Sequence, residues 1–277
     1  MKKLFLLALC AVAAPLFAAA QEATAVIEKY ADKPIRGVIV AGAFDVQLAQ
    51  ADGASRQAGA KVEILKELED KLVFEYTDEG YVRLAFKNDM SKYFTGSKKK
   101  PQAWLTVTEL KYLNVTGASN VVCTGICSTT GNLRILTSGN ASVNLLEASA
   151  ETINIEVSGA SDLSDAKLTV EGKAEAIQSG TSKIDGEIKA GTAIFTVSGV
   201  SGLTLSGGAE EAVLDVSGTA SADLENFSIG TVNAKVSGMG KVKANVIGGG
   251  TAQVSTMGSF RYKGAGLVTG KGVKRLD

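Results

Sequence analysis

The sequence predicts an all-β protein, a single-stranded right-handed parallel β-helix (solenoid) of about nine coils. Three observations predict it. A phrase of the type Val-Ser-Gly-x-Ser recurs in steps of 18 to 22 residues, apolar residues hold fixed places on both sides of its glycine, and β-branched residues alternate with polar ones between copies. Repeats of this length indicate a solenoid, and an apolar period of two indicates strands with one buried face.

Each copy of the phrase is anchored on a glycine that we expect at a tight corner, because glycine accepts a positive φ without a steric penalty. The anchors are Gly117, Gly139, Gly159, Gly180, Gly199, Gly218 and Gly238, with a weaker early copy at Gly42 and Thr256 in the last anchor position. Serine precedes the anchor at Ser138, Ser158, Ser179, Ser198, Ser217, Ser237 and Ser255. We expect these serines to hydrogen-bond to the backbone of the corner or to each other.

Two apolar columns bracket the corner. Two places before the anchor stand Val40, Val115, Thr137, Val157, Gln178, Val197, Val216, Val236 and Val254. Four places after it stand Val46, Val121, Val143, Leu163, Ile184, Leu203, Ala222, Val242 and Phe260. A leucine-rich repeat of similar length would show a leucine and asparagine signature, which this repeat lacks. Stacked coils at about 4.8 Å each give a rod about 40 Å long, and the crossover rule predicts a right-handed winding.

Residues 1–20 are predicted to be an export signal. Lys2 and Lys3 precede an apolar stretch over residues 4–12, and three alanines at 18–20 form a small-residue cleavage site, which is the pattern of a secretory signal peptide. The apolar stretch is too short to span a membrane, and no later segment is long enough. We therefore expect an exported protein that is periplasmic, at the cell surface or secreted. A lipid anchor on Cys10 is not expected, because Leu9 occupies a position that requires a small residue.

Residues 21–34 form a lead-in, in which 23–30 are expected to be a short helix or to lack regular structure. Residues 35–277 are predicted to be the β-helix domain, and 35–112 its irregular first coils. Alternating segments at 35–48, 62–64, 72–76, 81–86 and 104–107 predict strands, and 65–70 a single helical turn. A separate small β domain is the alternative for this half, which holds the only tryptophan.

The regular repeats occupy residues 113–262, and residues 263–277 are predicted to form a basic, glycine-rich C-terminal cap. Lys271, Lys274 and Arg275 lie among glycines there. The open end of a solenoid presents unpaired backbone groups, and charge at such an edge opposes polymerisation.

The charge balance limits the partners that the chain can have. The sequence has 29 Lys and Arg against 29 Asp and Glu, and removal of residues 1–20, which contain two lysines and no acidic residue, makes the formal charge −2. Proteins that bind nucleic acid usually carry a basic surface. Because the charge of this chain is nearly balanced, no nucleic-acid partner is expected. The lysine run at 98–100 precedes Pro101 and is interpreted as a solvated loop.

A family resemblance follows from two stretches of sequence. The opening Gly-Val-Ile-Val-Ala-Gly-Ala-Phe-Asp-Val-Gln-Leu at 37–48, followed by serial Val-Ser-Gly-x-Ser phrases, resembles the putative auto-transporter adhesin, head GIN domain family over about residues 35–262. The resemblance implies an exported bacterial β-helical protein with a surface or adhesive role. It supplies no catalytic residues that could be assigned to positions in this chain.

The residue types argue against catalysis. The chain contains no histidine, which removes Ser-His and Cys-His nucleophile pairs and every His-bearing metal site. Cys123 and Cys127 are too few for a zinc site. Export makes a disulfide between them an open possibility, and two small apolar side chains are the alternative. We predict no catalytic residues, no cofactor and no metal.

A carboxylate site on a β-helix would show acidic residues at the same position of adjacent repeats, because neighbouring coils place equivalent positions side by side. Three places after the anchor the column contains Asp45, Asn120, Ser142, Asp162, Lys183, Gly202, Ser221, Lys241 and Ser259. No two adjacent coils share an acid, so a polysaccharide-cleaving carboxylate site is not predicted. Asp162 beside Lys183 suggests an ion pair between coils. Glu210 with Glu211, and Asp162 with Asp165, lack a basic or metal-binding neighbour. The calcium-binding nonapeptide of β-roll repeats is absent.

Aromatic residues that could stack on sugar are Trp104, Tyr81, Tyr93 and Tyr112, although aromatic residues in alternating strands are more often part of the core. The sequence therefore favours a non-enzymatic exported protein, an adhesin or envelope binding module that presents long β faces to a glycan or protein. A polysaccharide-processing enzyme on a β-helix and a purely structural envelope protein are the alternatives.

Overall fold

The computed structural model describes residues 23–53, 56–90, 93–94, 99–144, 147–255 and 257–276. The predicted export signal at 1–20 and the anchor Thr256 lie outside these residues. The chain is a nearly all-β solenoid of about eight turns of stacked parallel coils, as the repeat predicts. No helix in the described part of the chain is long and apolar enough to cross a membrane.

Twenty-three strands and one short helix make up the described structure. In the first half they are β1 Thr24–Lys29, β2 Gly37–Gly42, β3 Asp45–Gln50, β4 Gly59–Leu65, a 3₁₀ helix Lys66–Lys71, β5 Leu72–Tyr76, β6 Tyr81–Phe86, β7 Gln102–Val107, β8 Tyr112–Gly117, β9 Asn120–Thr124, β10 Ile126–Ser128, β11 Asn132–Thr137 and β12 Ser142–Asn144. In the second half they are β13 Glu147–Ala150, β14 Thr152–Val157, β15 Asp162–Val170, β16 Lys173–Gln178, β17 Lys183–Val197, β18 Gly202–Val216, β19 Ser221–Val236, β20 Lys241–Val254, β21 Ser259–Lys263, β22 Leu267–Thr269 and β23 Val273–Arg275.

Each regular coil has three faces, which we name by the strands of one coil. The first face contains β16 and ends at the anchor glycine, the second face contains residues 183–185, and the third face contains residues 186–190 of the same strand β17. Each segment pairs in parallel with its counterpart one coil away, as β16 does with residues 192–197 and residues 183–190 do with residues 202–209.

The anchor glycines form one continuous column at the corner between the first and second faces. Seven of them have φ between +63° and +83°, and Gly42 at the start has φ +129°. The coils approach closely here: a Cβ atom built on Gly159 would lie 2.6 Å from the carbonyl oxygen of Gly139. The amide of Ala160 donates to that same oxygen at 2.8 Å. The corner therefore requires glycine both for its φ and for the spacing of the coils.

The two predicted apolar columns stack in register inside the solenoid. Val157 pairs with Thr137 on one side and Gln178 on the other, and Leu163 pairs with Val143 and Ile184. All nine members of the column four places after the anchor are at most 2% exposed. Burial of these side chains, at roughly 25 cal/mol per Å² of apolar area, is the main source of stability.

Serines line both sides of the corner. Among the predicted serines before the anchor, Ser158, Ser198 and Ser255 donate from Oγ to carbonyls of the preceding coil, as Ser198 does to the Gln178 carbonyl at 3.0 Å. A second set, which is the last serine of the Val-Ser-Gly-x-Ser repeat, is buried: Ser119, Ser161, Ser182 and Ser201. Ser182 Oγ and Ser201 Oγ lie 3.2 Å apart, so neighbouring coils satisfy each other's hydroxyls within the core.

The first coils are not stacked in the order of the sequence. Strand β2 pairs in parallel with β6 on one side and with β8 on the other, and β3 is likewise placed between β7 and β9. The coil made by β6 and β7 therefore lies outside the coil made by β2 and β3, and the chain then crosses back over it to reach β8. Alternation predicts which residues face inward but not the coil on which a strand stacks.

The lead-in is a strand, and the expectation of a short helix or irregular chain at 23–30 is wrong. Strand β1 pairs antiparallel with β4, and β4 pairs antiparallel with β7. Both faces of β1 are partly or fully exposed, so the apolar alternation that marks a strand is missing from its sequence. The predicted helical turn at 65–70 is present as the 3₁₀ helix Lys66–Lys71.

The C-terminal tail adds one shortened coil. Strand β22 pairs in parallel with β20, and β23 pairs in parallel with β21. Arg275 Nη2 donates to the carbonyl of Gly264 at 2.8 Å, which holds the tail against the end of the solenoid. The final strands are three residues long, so the exposed edge at this end is short and basic.

Candidate functional site

The column three places after the anchor lies on the outside of the second face, in the register that the sequence predicts. Asp162 pairs with Ser142 on one side and Lys183 on the other. Lys183 Nζ bonds to Asp185 Oδ2 at 2.9 Å, so the ion pair is within the strand and the predicted pair with Asp162 does not form. The hydrogen bond that Lys183 donates to Asp185 and the negative charge of Asp185 raise the pKa of Lys183, and the charges of Asp162 and Asp165 add to this effect.

The remaining acidic candidates are dispersed over the surface. Glu210 and Glu211 are exposed at a corner, and Asp165 Oδ2 accepts a hydrogen bond from Asn144 Nδ2 at 3.3 Å. Among the described residues, no group of three His, Cys, Asp or Glu side chains is placed to hold a metal ion. Of the predicted lysine loop, Lys99 pairs with Glu63 at 3.5 Å and Lys100 Nζ donates to the Ala118 carbonyl at 2.6 Å.

The two cysteines face each other across one corner. Cys123 lies in β9 near the end of the second face, Cys127 lies in β10 on the third face, and Gly125 lies between these strands with φ +84°. Both are free thiols and fully buried. The hydrogen bond between them raises the pKa of the Cys123 thiol, as does burial, and lowers the pKa of the Cys127 thiol. Buried thiols of this kind are inert toward substrates.

A cavity of about 500 Å³ lies against the glycine column at the N-terminal end. Its apolar wall is made by Phe86, Met90 and Phe94 with small residues of the first coils, and Lys87 and Lys100 lie at its margin. The rings of Phe86 and Phe44 stack with their centroids 4.8 Å apart, which fixes the base of the wall. Asp89 also lines the cavity, which can therefore take a small apolar group beside charged side chains of both signs.

The four aromatic candidates lie outside the coils, and none is part of the buried core. Tyr81 and Tyr112 stack with ring centroids 5.1 Å apart on the first face, above Gly37, where a Cβ atom would lie 2.6 Å from the Tyr81 ring. Tyr93 bonds through its hydroxyl to Glu67. Trp104 lies on the second face, with Lys61 Nζ 5.8 Å from its ring centroid.

The alternation of inward and outward residues along a strand would have predicted that these side chains face outward. Ala103, Leu105 and Val107 are buried, so Trp104 shares its face with the polar residues Gln102 and Thr106. The described surface therefore offers flat polar faces, a corner cavity and outward aromatic rings, arrangements suited to binding.

A protein-family model matches the chain at residues 35–178 and 164–266, and its description is "Putative auto-transporter adhesin, head GIN domain". The two matches overlap and together span most of the solenoid. No curated protein matches the chain.

Several solved structures share the fold. A putative adhesin from Parabacteroides merdae is 17% identical over 92% of this chain and 96% of its own, with a TM-score of 0.63. A putative adhesin from Parabacteroides distasonis is 20% identical over 92% and 97%, with a TM-score of 0.60. A structure titled putative lipid binding protein, also from P. distasonis, is 16% identical over 92% and 97%, with a TM-score of 0.60. At these identities the likeness concerns the fold.

Proposed function

Because the chain belongs to the putative auto-transporter adhesin, head GIN domain family, we propose that it is an exported, non-enzymatic binding module of the cell envelope that presents its long β faces to a glycan or protein. The observation that carries this proposal is the register of the outward columns. On the second face, one row of outward positions runs from Asp45 through Asn120, Ser142 and Asp162 to Lys183, as a continuous flat surface across successive coils.

The chemistry of the chain supports a non-enzymatic role. The sequence has no histidine, and several carboxylates of the regular coils lie in exposed ion pairs, such as Arg134 Nη2 with Glu156 Oε1 at 2.8 Å. Such pairs contribute little to stability. They give the surface both positive and negative charges, which can bind a polar ligand. Export is supported by the signal-like residues 1–20.

The test is a direct comparison of binding with catalysis. Purified residues 21–277 are applied to an array of bacterial and host glycans and to a panel of extracellular proteins, and the same glycans in solution are assayed for release of reducing ends. Binding without release is expected. Release in proportion to added protein would establish a polysaccharide-processing enzyme, and the lack of any binding would favour a structural envelope protein. Protease treatment of intact cells tests whether the module reaches the surface.

A second candidate function, binding of a single acyl chain, is favoured by the apolar wall of the corner cavity, which Phe86, Met90 and Phe94 form. The fold is also that of the structure titled putative lipid binding protein. A fluorescent fatty-acid probe should bind the protein, and Met90→Asp should abolish this binding. Met239→Asp is the matched control, since Met239 is 51% exposed on a later corner. Equal probe binding by both variants would rule out the cavity.

A further inference from the structure

Four strands at the N-terminal end of the second face, β4, β7, β3 and β9, place their outward side chains in two parallel rows. The first row runs from Lys61 through Trp104 to Gln47. The second row runs from Gly59 through Thr106 and Ala49 to Thr124. The rows cross the strands at right angles, so their members are spaced by about 4.8 Å.

The second row forms the floor of a groove because its side chains are small. Gly59 has no side chain, and a Cβ atom built on it would lie 3.6 Å from Ala31 Cα. Two concavities, of about 500 Å³ and about 270 Å³, both border Trp104 and Thr106 and continue each other across them. The four positions of the floor span about 14 Å at the usual strand spacing.

The walls of the groove carry hydrogen-bonding groups beside one aromatic ring. Trp104 stands on one side, between Lys61 and Gln47. Gln57 lines the larger concavity and Arg56 the smaller one, and the Arg56 amide donates to Asp52 Oδ1 at 2.8 Å. Lys61 is paired with Glu28 at 3.3 Å, so the cation beside the ring is partly balanced.

This combination suits a ligand with an apolar face and a polar rim. A pyranose ring presents C–H groups on one face and hydroxyls around its edge, and a tryptophan likewise offers a broad apolar surface in a polar setting. The amides, hydroxyls and guanidinium of the walls can donate to and accept from hydroxyls. Resting on the proposed binding function, we propose that this groove binds an oligosaccharide, with one pyranose ring against Trp104 and its hydroxyls directed to Gln47, Thr106 and Arg56.

Trp104 supplies its own probe, because it is the only tryptophan in the chain. Glycans that bind residues 21–277 on an array are titrated into the protein in solution while tryptophan fluorescence is followed. A saturable change in intensity or emission maximum is expected. Calorimetry then compares Trp104→Ala, Trp104→Phe and Tyr112→Ala. Tyr112 is the matched control, an outward aromatic residue stacked on Tyr81 on the first face.

Trp104→Ala should weaken binding at least tenfold, which corresponds to 1.4 kcal/mol, Trp104→Phe should weaken it less, and Tyr112→Ala should leave it unchanged. An unaltered melting transition of the Phe variant separates lost binding from lost folding. Glycan binding that neither changes the fluorescence nor depends on Trp104 would overturn the groove and leave the binding module intact. Binding of proteins alone would do the same. Failure of every glycan and every protein to bind would overturn both proposals.

Discussion

Gly159 illustrates why the corner of each coil is a glycine. Its φ is +72°, and the position of its missing Cβ is 2.6 Å from one backbone oxygen. An alanine there must bear the left-handed conformation, which costs about 1–2 kcal/mol, and must also push two coils apart. We expect Gly159→Ala to lower the free energy of unfolding by about 3 kcal/mol or more, measured by denaturant titration.

Two other glycines separate the two causes. Gly125 has φ +84° but no atom within 4 Å of its Cβ position, and Gly131 has neither a positive φ nor a neighbour there. Gly125→Ala should therefore cost about 1–2 kcal/mol from conformation alone, and Gly131→Ala should be within about 0.5 kcal/mol of the parent. Equal losses at Gly125 and Gly159 would show that close packing of the coils contributes nothing.

Thr137 is a polar residue in a column made mainly of valine. It is 1% exposed, and its Oγ1 is buried without a hydrogen-bond partner. A buried hydroxyl without a partner costs about 1–3 kcal/mol. Because valine has nearly the same shape, we expect Thr137→Val to raise the free energy of unfolding by about 1 kcal/mol. Thr116→Val, on the outward side of the neighbouring coil, is the control. A loss of stability in Thr137→Val would mean that the hydroxyl has a bound partner such as water.

At the scale of elements, the crossover from β7 to β8 depends on Glu109. Partial burial raises the pKa of this carboxyl, but hydrogen bonds from the Thr129 hydroxyl and the Thr130 amide, together with Lys111, lower it to about 2. The Thr129 bond is 2.7 Å and the Lys111 pair 3.1 Å. Leu110, the next residue, is completely buried, so these bonds hold a connection that closes over the first coils.

The depressed pKa predicts the pH dependence of stability. Because the folded protein favours the ionised form of Glu109, its contribution is complete above the unfolded pKa near 4.5 and is lost as the pH falls toward 2. Glu109→Gln should lower the free energy of unfolding at pH 7 by about 1–2 kcal/mol, a value reduced for solvent screening because the side chain is 23% exposed. The difference from the parent should vanish near pH 2.

Glu210→Gln is the control for this element, since Glu210 is exposed at a corner of the regular coils. It should leave the stability at pH 7 unchanged. Equilibrium unfolding at several pH values measures both variants. A Glu109→Gln protein that stays less stable than the parent by the same amount at every pH would show that shape, and not charge, is what Glu109 supplies.

The regular coils could be predicted from sequence because burial and register there depend on the same residues. Val157 and Leu163 face inward, and each stacks on its counterpart one repeat away. The first coils could not be predicted in this way, because no repeat length relates β6 to β2. Strand β1 was missed because Ala25, Val26 and Ile27 follow one another, so its sequence lacks the alternation of apolar and polar residues that marks a strand.

The binding surfaces were only partly predictable for a related reason. Alternation along the strand shows that Trp104 faces outward. The groove, however, depends on Gly59 and Ala49 lying beside Thr106, and these residues are on strands distant in sequence. One of these pairings is antiparallel and none follows the repeat. The lack of histidine, by contrast, is a property of composition and could be read directly.

At the scale of the whole molecule, the two ends of the solenoid are covered in different ways. The N-terminal end is extended by antiparallel strands, β1 with β4 and β5 with β6. The C-terminal end is covered by the short parallel strands β22 and β23, which leave only a few unpaired backbone groups beside Lys274 and Arg275. An end with longer strands would present a template for another copy of the chain.

Removal of residues 264–277 should therefore promote self-association. The truncation uncovers β21 and the part of β20 that pairs with β22, which exposes a longer edge. We expect a larger average mass than that of the full chain by light scattering at equal concentration, and a lower melting temperature. The full-length variant Lys274→Glu with Arg275→Glu is the control: it keeps both strands but reverses their charge. Self-association of the control alone would show that charge protects this end. Self-association of the truncated chain alone would show that coverage of the backbone protects it, because the exposed N–H and C=O groups then pair with those of a second molecule.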